Sequence, residues 1–255
     1  MNTVKPRVAY VVPCYNEEKR LHQDEFRALA KAGVALLFVD DGSTDGTRRV
    51  IEELANEENM FSLSLEKNAG KAEAVRRGLN WLIGQGSYDW VGYTDADLAT
   101  PVSELLRLVS LATKTERDVV FGSRIAIAGS EIERWIIRHY IGRVFATAAS
   151  LILRVAFYDT QCGAKLFRTI PEFSASLRDP FHSRWAFDVE LLGRLLFGDR
   201  ENAPMLESRF LEVPLKKWTD VPGSKIDTKA AMRVGTDLAK IAWALEKRKK
   251  QRRLA

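Results

Sequence analysis

Asp89-Trp90-Val91-Gly92-Tyr93-Thr94-Asp95-Ala96-Asp97 reads as a strand running into a pair of carboxylates. Its short apolar run, with aromatic and β-branched residues, has the character of a buried strand. Asp95 and Asp97 then sit where the strand runs out, and side chains two apart on an extended segment point the same way. Two converging carboxylates repel one another and are costly to desolvate unless a cation is near. Hard oxygen ligands of this kind suit Mg²⁺ or Mn²⁺, held by one or two carboxylates and completed by substrate phosphates. A solvated loop start has the same appearance, so the neighbouring segments decide.

On both sides of this stretch, strand and helix patterns alternate. Val8 to Pro13 is a continuous apolar run, as expected of a parallel strand covered on both faces. An amphipathic helix is expected from about Glu17 to Ala32, stopped by Gly33. Val34 to Val39 is a second strand, ending in the turn-rich segment from Asp40 to Thr47, whose Ser, Thr and Asp cap a helix reaching about Glu58. Phe61 to Glu66 is a third strand, and the segment from Lys67 to Lys71 leads into a helix to about Ile83. After Asp97, Thr100-Pro101 opens another helix with Pro at its favoured first position, and Asp118 to Ser123 is the fifth strand. The fold class is therefore α/β, a mostly parallel twisted sheet flanked by helices. In such sheets ligands bind beyond the carboxyl ends of the strands.

The chain has 255 residues, 46% hydrophobic and 29% charged, with a formal charge of +5. That is enough for one α/β domain with an appendage. The excess charge is concentrated at the end, where Glu246 to Ala255 carries six basic residues against one acid. We divide the chain into a single catalytic domain over 1–240 and a basic C-terminal tail over 241–255. The tail is suited to an anionic membrane surface; a nucleic-acid-binding protein using it is the non-enzyme alternative. Two cysteines, Cys14 and Cys162, make neither a disulfide framework nor a metal-ligand spacing. With no secretory segment after Met1, they point to a reducing cytosol. The longest apolar run, Val144 to Leu153, falls short of the ~20 residues of a spanning helix.

Four polar segments end up at strand ends: Pro13 to Glu17, Asp40 to Asp45, Lys67 to Lys71, and Asp95 to Asp97. Together they look like one site. Asp41 suits hydrogen bonds from a base or ribose, Gly70 and Lys71 suit phosphate, and the carboxylate pair suits a metal that neutralises a diphosphate. Neither a P-loop nor a dinucleotide fingerprint is present.

These residues resemble a known family. Val11-Val12-Pro13-Cys14-Tyr15-Asn16-Glu17-Glu18, the 40–47 segment, Asn68-Ala69-Gly70-Lys71 and Asp95-Ala96-Asp97 are similar to family 2 glycosyltransferases of the GT-A (nucleotide-diphospho-sugar transferase) fold. Phe121-Gly122-Ser123-Arg124, the 159–167 and 184–192 segments and Trp218 to Lys225 resemble dolichyl-phosphate β-glucosyltransferases and bacterial polyprenyl-phosphate relatives. The resemblance covers about residues 7–240, with a nucleotide-sugar half at 7–125 and an acceptor half at 126–240. It implies an inverting transfer of a hexose, glucose by resemblance, from UDP-glucose to a polyprenyl (dolichyl or undecaprenyl) phosphate. GDP-mannose, or a soluble acceptor, is the alternative. Pro13, Tyr15, Glu17, Val39 and Asp41 would line the base and ribose pocket. Asp95 and Ala96 would meet the diphosphate, with Asp97 the preferred metal ligand and Asp95 the second. Arg124 and Lys225 would bind phosphate. Cys14 departs from the Thr that relatives often carry.

Displacing a nucleoside diphosphate builds negative charge on the leaving oxygen, which a metal and cations stabilise. A hydroxyl acceptor also needs a general base, for which Asp188 and Glu190 are the candidates, or else they are structural partners of Arg184 or Lys165. A phosphomonoester, with a second pKa of about 6, needs none. It needs cations, supplied by Arg134, Arg138, His139 and Arg143, with Arg134 and Arg138 on one helix face; we assign the acceptor phosphate to Arg138 and Arg134. The 134–157 segment, apolar on one face and carrying arginines, reads as two interfacial helices broken at Gly142; packing into the core is the alternative for the same pattern. Peripheral attachment to the cytoplasmic face of a membrane is the corresponding expectation, with no nucleic-acid partner.

Overall fold

The computed structural model describes residues 6–133, 136–220 and 228–253, and side chains within them except those of 133, 136–141, 228–234 and 253. Strands β1 (Val8–Cys14), β2 (Val34–Asp40), β3 (Met60–Ser64) and β4 (Trp90–Thr94) alternate with helices α1 (Gln23–Lys31), α2 (Thr47–Leu54) and α3 (Lys71–Gly84). After β4 come α4 (Val102–Lys114), β5 (Val119–Ser123), β6 (Glu131–Glu133), α5 (Ile136–Leu153), β7 (Ala164–Arg168), α6 (Pro171–Ser176) and α7 (Phe187–Phe197). A 3-10 turn (Glu207–Arg209), β8 (Phe210–Pro214), β9 (Lys217–Thr219) and α8 (Thr228–Arg253) complete the described elements.

Seven strands form one sheet in the order β3-β2-β1-β4-β7-β5-β8. β1 to β4 are parallel, as is β5 with β8, whereas β7 runs antiparallel between β4 and β5. Both faces are covered. Alternate β1 residues go to opposite cores: Ala9 and Val11 pack under α3, α5 and α7, and Val8, Tyr10 and Val12 pack under α1, α2 and α4. Period-two alternation therefore coexists with a continuous apolar run, because each face has its own helical layer. The halves divided at 125 share this sheet, since β7 and β8 lie in it beside β4 and β5.

Several expectations need correction. The first helix starts at Gln23, not Glu17. Asn16 takes the left-handed φ of 55°, and the Glu17 carbonyl accepts the amides of Arg20 and Leu21, both at 2.9 Å, in a separate turn. Pro101 is the N-cap of α4, one residue before its expected place. The expected break at Gly142 is absent, and α5 runs continuously through it; one glycine costs a helix only about 1 kcal/mol. The boundary at 240 falls inside α8, whose Leu238, Ile241 and Leu245 are buried. Arg248 is tied to Asp199 at 2.7 Å and Arg154, just past α5, to Glu246 at 2.7 Å, so the basic run continues a docked helix. No described helix is long and apolar enough to cross a membrane.

Candidate active site

The carboxyl ends of β1, β2 and β4 bring the polar segments to one edge of the sheet. Because β7 is antiparallel to β4, with Thr94 opposite Ala164, the loop entering β7 reaches the same edge. Gly163 abuts Asp95 there: a Cβ at 163 would overlap the Asp95 carboxylate. Gly163→Ala is therefore expected to displace Asp95 and cut turnover by about 10²-fold, the scale of an ångström misplacement at a reacting centre. Steady-state rates with an unchanged melting temperature check this.

Lys71, the first residue of α3, pairs through Nζ with Asp95 Oδ1. Burial opposes its charge, but Asp95, Asp188 and Asp97 outweigh it, so the ammonium is held above the usual lysine pKa. The Asp97 carboxylate accepts the Ala99 amide at 3.2 Å. Burial and then Asp95 push its pKa up, against the pull of Ala99, Lys71 and Arg20. Leu98, between Asp97 and that amide, takes a left-handed φ of 48°, a backbone conformation unfavourable for a leucine and retained where its surroundings enforce it. Arg20 is a cation that the sequence reading passed over. Its guanidinium grips Glu17 with bonds of 2.8 and 2.6 Å, and the Glu17-x-x-Arg20 spacing was the available signal.

Asp41 is 3% exposed, and its carboxylate accepts the amides of Ala69 at 2.7 Å and Gly70 at 2.8 Å. It thus shapes the 68–71 loop; burial raises its pKa although both amides oppose the shift. Gly70 has φ +94°, and a side chain there would strike Arg184 as well. Pro13 and Val39 are register partners on β1 and β2. The Val39 side chain, however, is fully buried under Gly78 of α3, so it belongs to the core and not to a pocket wall. Ala96 is likewise buried, on the opposite face. Tyr15 and Glu17 remain partly exposed at the strand edge.

Arg124, at the end of β5, donates to Asp159 from Nε at 2.6 Å, from Nη2 at 2.8 Å and from its backbone amide at 3.0 Å. It also lies 5.4 Å from the Trp218 ring centroid. Burial lowers its pKa, and Asp159 more than reverses that. Asp159 is fixed in turn, its amide donating to Glu212 at 2.7 Å. Arg124 is thus first a strut between β5 and the loop entering β7.

Of the two candidate bases, Asp188 accepts from Lys165 Nζ at 2.6 Å and from the Tyr93 hydroxyl. Glu190 binds Arg194 at 2.7 Å and accepts the His182 amide at 2.8 Å, with its other contact to the His182 ring. Lys165 is therefore the partner of Asp188, while Arg184 turns instead to Asn68 and Ala69. Arg143 stacks 4.2 Å from the Tyr158 ring centroid. The Arg134 and Lys225 assignments, and the side chains of Arg138 and His139, lie outside the described residues.

The chain matches the family described as Glycosyl transferase family 2 over residues 10–183. It belongs to the family 2 glycosyltransferases. Similar curated relatives include the dolichyl-phosphate β-glucosyltransferases of Dictyostelium discoideum and Homo sapiens. The first is 29% identical, covering 92% of this chain and 74% of the relative. The second is 29% identical, covering 96% and 79%. S. aureus TarS 1-349, solved in complex with UDP, is 17% identical with a TM-score of 0.55 over 92% of this chain. This glycosyltransferase spans 65% of that solved chain. Its fold is GT-A, with Asp95 and Asp97 just beyond the carboxyl end of β4.

Proposed function

We propose that this enzyme transfers glucose, with inversion, from UDP-glucose to a polyprenyl phosphate. The observation that carries this reading is the division of labour among charges at the strand ends. Lys71 and Arg20 flank the Asp95–Asp97 pair, while Asp188 and Glu190 are already committed to Lys165, Tyr93, Arg194 and His182. Cations thus stand beside the carboxylate pair, as a departing diphosphate requires, and both candidate bases already accept hydrogen bonds from neighbouring side chains. A phosphomonoester needs no base because it is mostly dianionic at neutral pH. The names of the relatives, which specify dolichyl phosphate and glucose, favour the same pairing.

The carboxylates fit Mg²⁺ or Mn²⁺. Asp97, raised by burial and by its neighbour, gains most from a divalent cation, and Asp95 stands behind it already paired with Lys71. Among the described residues, no group of three or more His, Cys, Asp or Glu side chains is arranged to hold a metal alone. That suits a cation whose remaining ligands are phosphate and water. When bound, it would neutralise charge developing on the departing diphosphate. Lys71 then steadies Asp95, Asp41 fixes the 68–71 loop, and Arg124 holds the loop entering β7 against the site. Arg138, Arg134 and Lys225 are proposed cations for acceptor and donor phosphates.

Attachment at the cytoplasmic face of a membrane completes the proposal. Val144 and Leu151 on α5 are 73% and 75% exposed, and Trp243 on α8 is 65% exposed with Lys247 beside it. Apolar and aromatic side chains interleaved with basic ones suit an interface. The test is a screen of UDP-glucose and GDP-mannose, each with and without polyprenyl phosphate, in Mn²⁺ and in excess EDTA. A lipid-linked glucose that needs both lipid and metal is expected. Full turnover in EDTA removes the metal assignment, and transfer only from GDP-mannose changes the sugar.

A further inference from the structure

The turn Ser183-Arg184-Trp185, just before α7, buries Ser183 and exposes Arg184 and Trp185, and it touches the 68–71 loop, α3, α5 and α8. Ser183 Oγ donates to Asp237 of α8 at 2.6 Å and accepts the amides of Trp185 at 3.2 Å and Ala186 at 2.8 Å. Arg184 reaches the other way. Its Nε donates to the Ala69 carbonyl at 3.1 Å, its Nη2 donates to Asn68 Oδ1 at 2.5 Å, and its own carbonyl accepts the Ala72 amide at 3.4 Å. The adjacent Trp185 packs edge-on against Phe145 of α5, with ring centroids 5.9 Å apart.

The 68–71 loop is thereby gripped from two sides. Asp41 holds its Ala69 and Gly70 amides from the end of β2, and Arg184 holds its Asn68 and Ala69 oxygens from the turn. Lys71, which follows directly, carries the pairing with Asp95. Two successive side chains of one turn therefore contact the donor loop and the helix to which acceptor cations are assigned.

We propose that Arg184 is a positioning residue, and that with Trp185 it makes the seat of the donor loop depend on the seat of α5. The inference rests on the functional reading above, and it adds a coupling between the two substrate sites. Arg184 touches neither donor nor acceptor in this scheme. It sets where Lys71 and the loop amides meet the diphosphate. A lysine does not reproduce it, because a point-charge ammonium lacks the rigid planar fork with which Nε and Nη2 meet two separate acceptors.

A double-mutant cycle tests this. Donor KM and kcat for UDP-glucose with polyprenyl phosphate, UDP affinity in Mn²⁺, and melting temperature are measured for the wild type, Arg184→Ala, Arg184→Lys, Trp185→Ala and the Arg184/Trp185 double alanine variant. Each single alanine change is expected to lower kcat/KM by about 10-fold, within the range of couplings between sites, with little change in melting temperature. Trp185→Ala raises donor KM despite its distance from the donor loop, Arg184→Lys behaves like Arg184→Ala, and the double variant is no worse than Arg184→Ala alone. Multiplying losses in the double variant, full rescue by lysine, or a wild-type donor KM in Trp185→Ala overturns the coupling while leaving the transfer reaction in place. A wild-type protein that neither binds UDP nor transfers glucose removes both.

Discussion

Asp97→Asn is expected to remove at least about 10²-fold of the transfer rate, the scale on which single charge-stabilising groups act, while raising the melting temperature of the metal-free, nucleotide-free protein. The two effects have one cause. Burial and the adjacent Asp95 hold the Asp97 carboxyl above its ordinary value in the folded state. The folded protein therefore binds that proton more tightly than the unfolded chain, and stability at this position falls as pH rises from about 4 through the raised folded value. Asparagine removes the charge and keeps an oxygen for the Ala99 amide. Its stabilising effect is present at pH 7 and fades on acidification below the ordinary carboxylate range. Parallel rate and melting measurements from pH 3 to 8 check this. A variant that is less stable at pH 7, or equally active, contradicts the role given to the carboxylate.

Lys165→Met should have the largest effect on stability. Lys165 is fully buried, donating to Asp188 and to the Cys162 carbonyl, while Tyr93 donates to the same Asp188 oxygen. Removing one partner of a buried ion pair strands the other charge, at a cost of about 3–5 kcal/mol. For a domain of this size that lowers the melting temperature on the order of 10 °C. Adding Asp188→Asn to Lys165→Met removes the stranded charge and is expected to recover part of the loss, which thermal melts of the three variants resolve. A Lys165→Met protein that melts with the wild type would show that the pair does not hold α7 to the sheet.

Much of this architecture was legible in local sequence. The apolar runs located β1, β2, β4 and β5 within a residue or two, because strands covered on both faces need apolar side chains throughout. The polar strand ends then assembled themselves, since parallel strands put all their carboxyl ends at one edge. What escaped depended on contacts distant in sequence. β7 inserts antiparallel between β4 and β5, and nothing in the 164–168 run states its direction. Gly163 and Asp159 stand in the 159–167 segment without any local sign of their partners, Asp95 and Arg124. Val39 misled for a related reason: period two puts it on the core face, whatever polar residues follow it. The six C-terminal basic residues concealed a helix because its buried stripe, Leu238, Ile241 and Leu245, lies upstream of them.

In the proposed reaction the acceptor carries its own charge, so that Asp188 supports the fold of the site and does not act as a base. The direct measurement is transfer of labelled glucose from UDP-glucose in Mn²⁺ to a polyprenyl phosphate and, in parallel, to the polyprenol of the same chain length. Lipid-linked glucose is expected from the phosphate alone. Equal product from the polyprenol would contradict it.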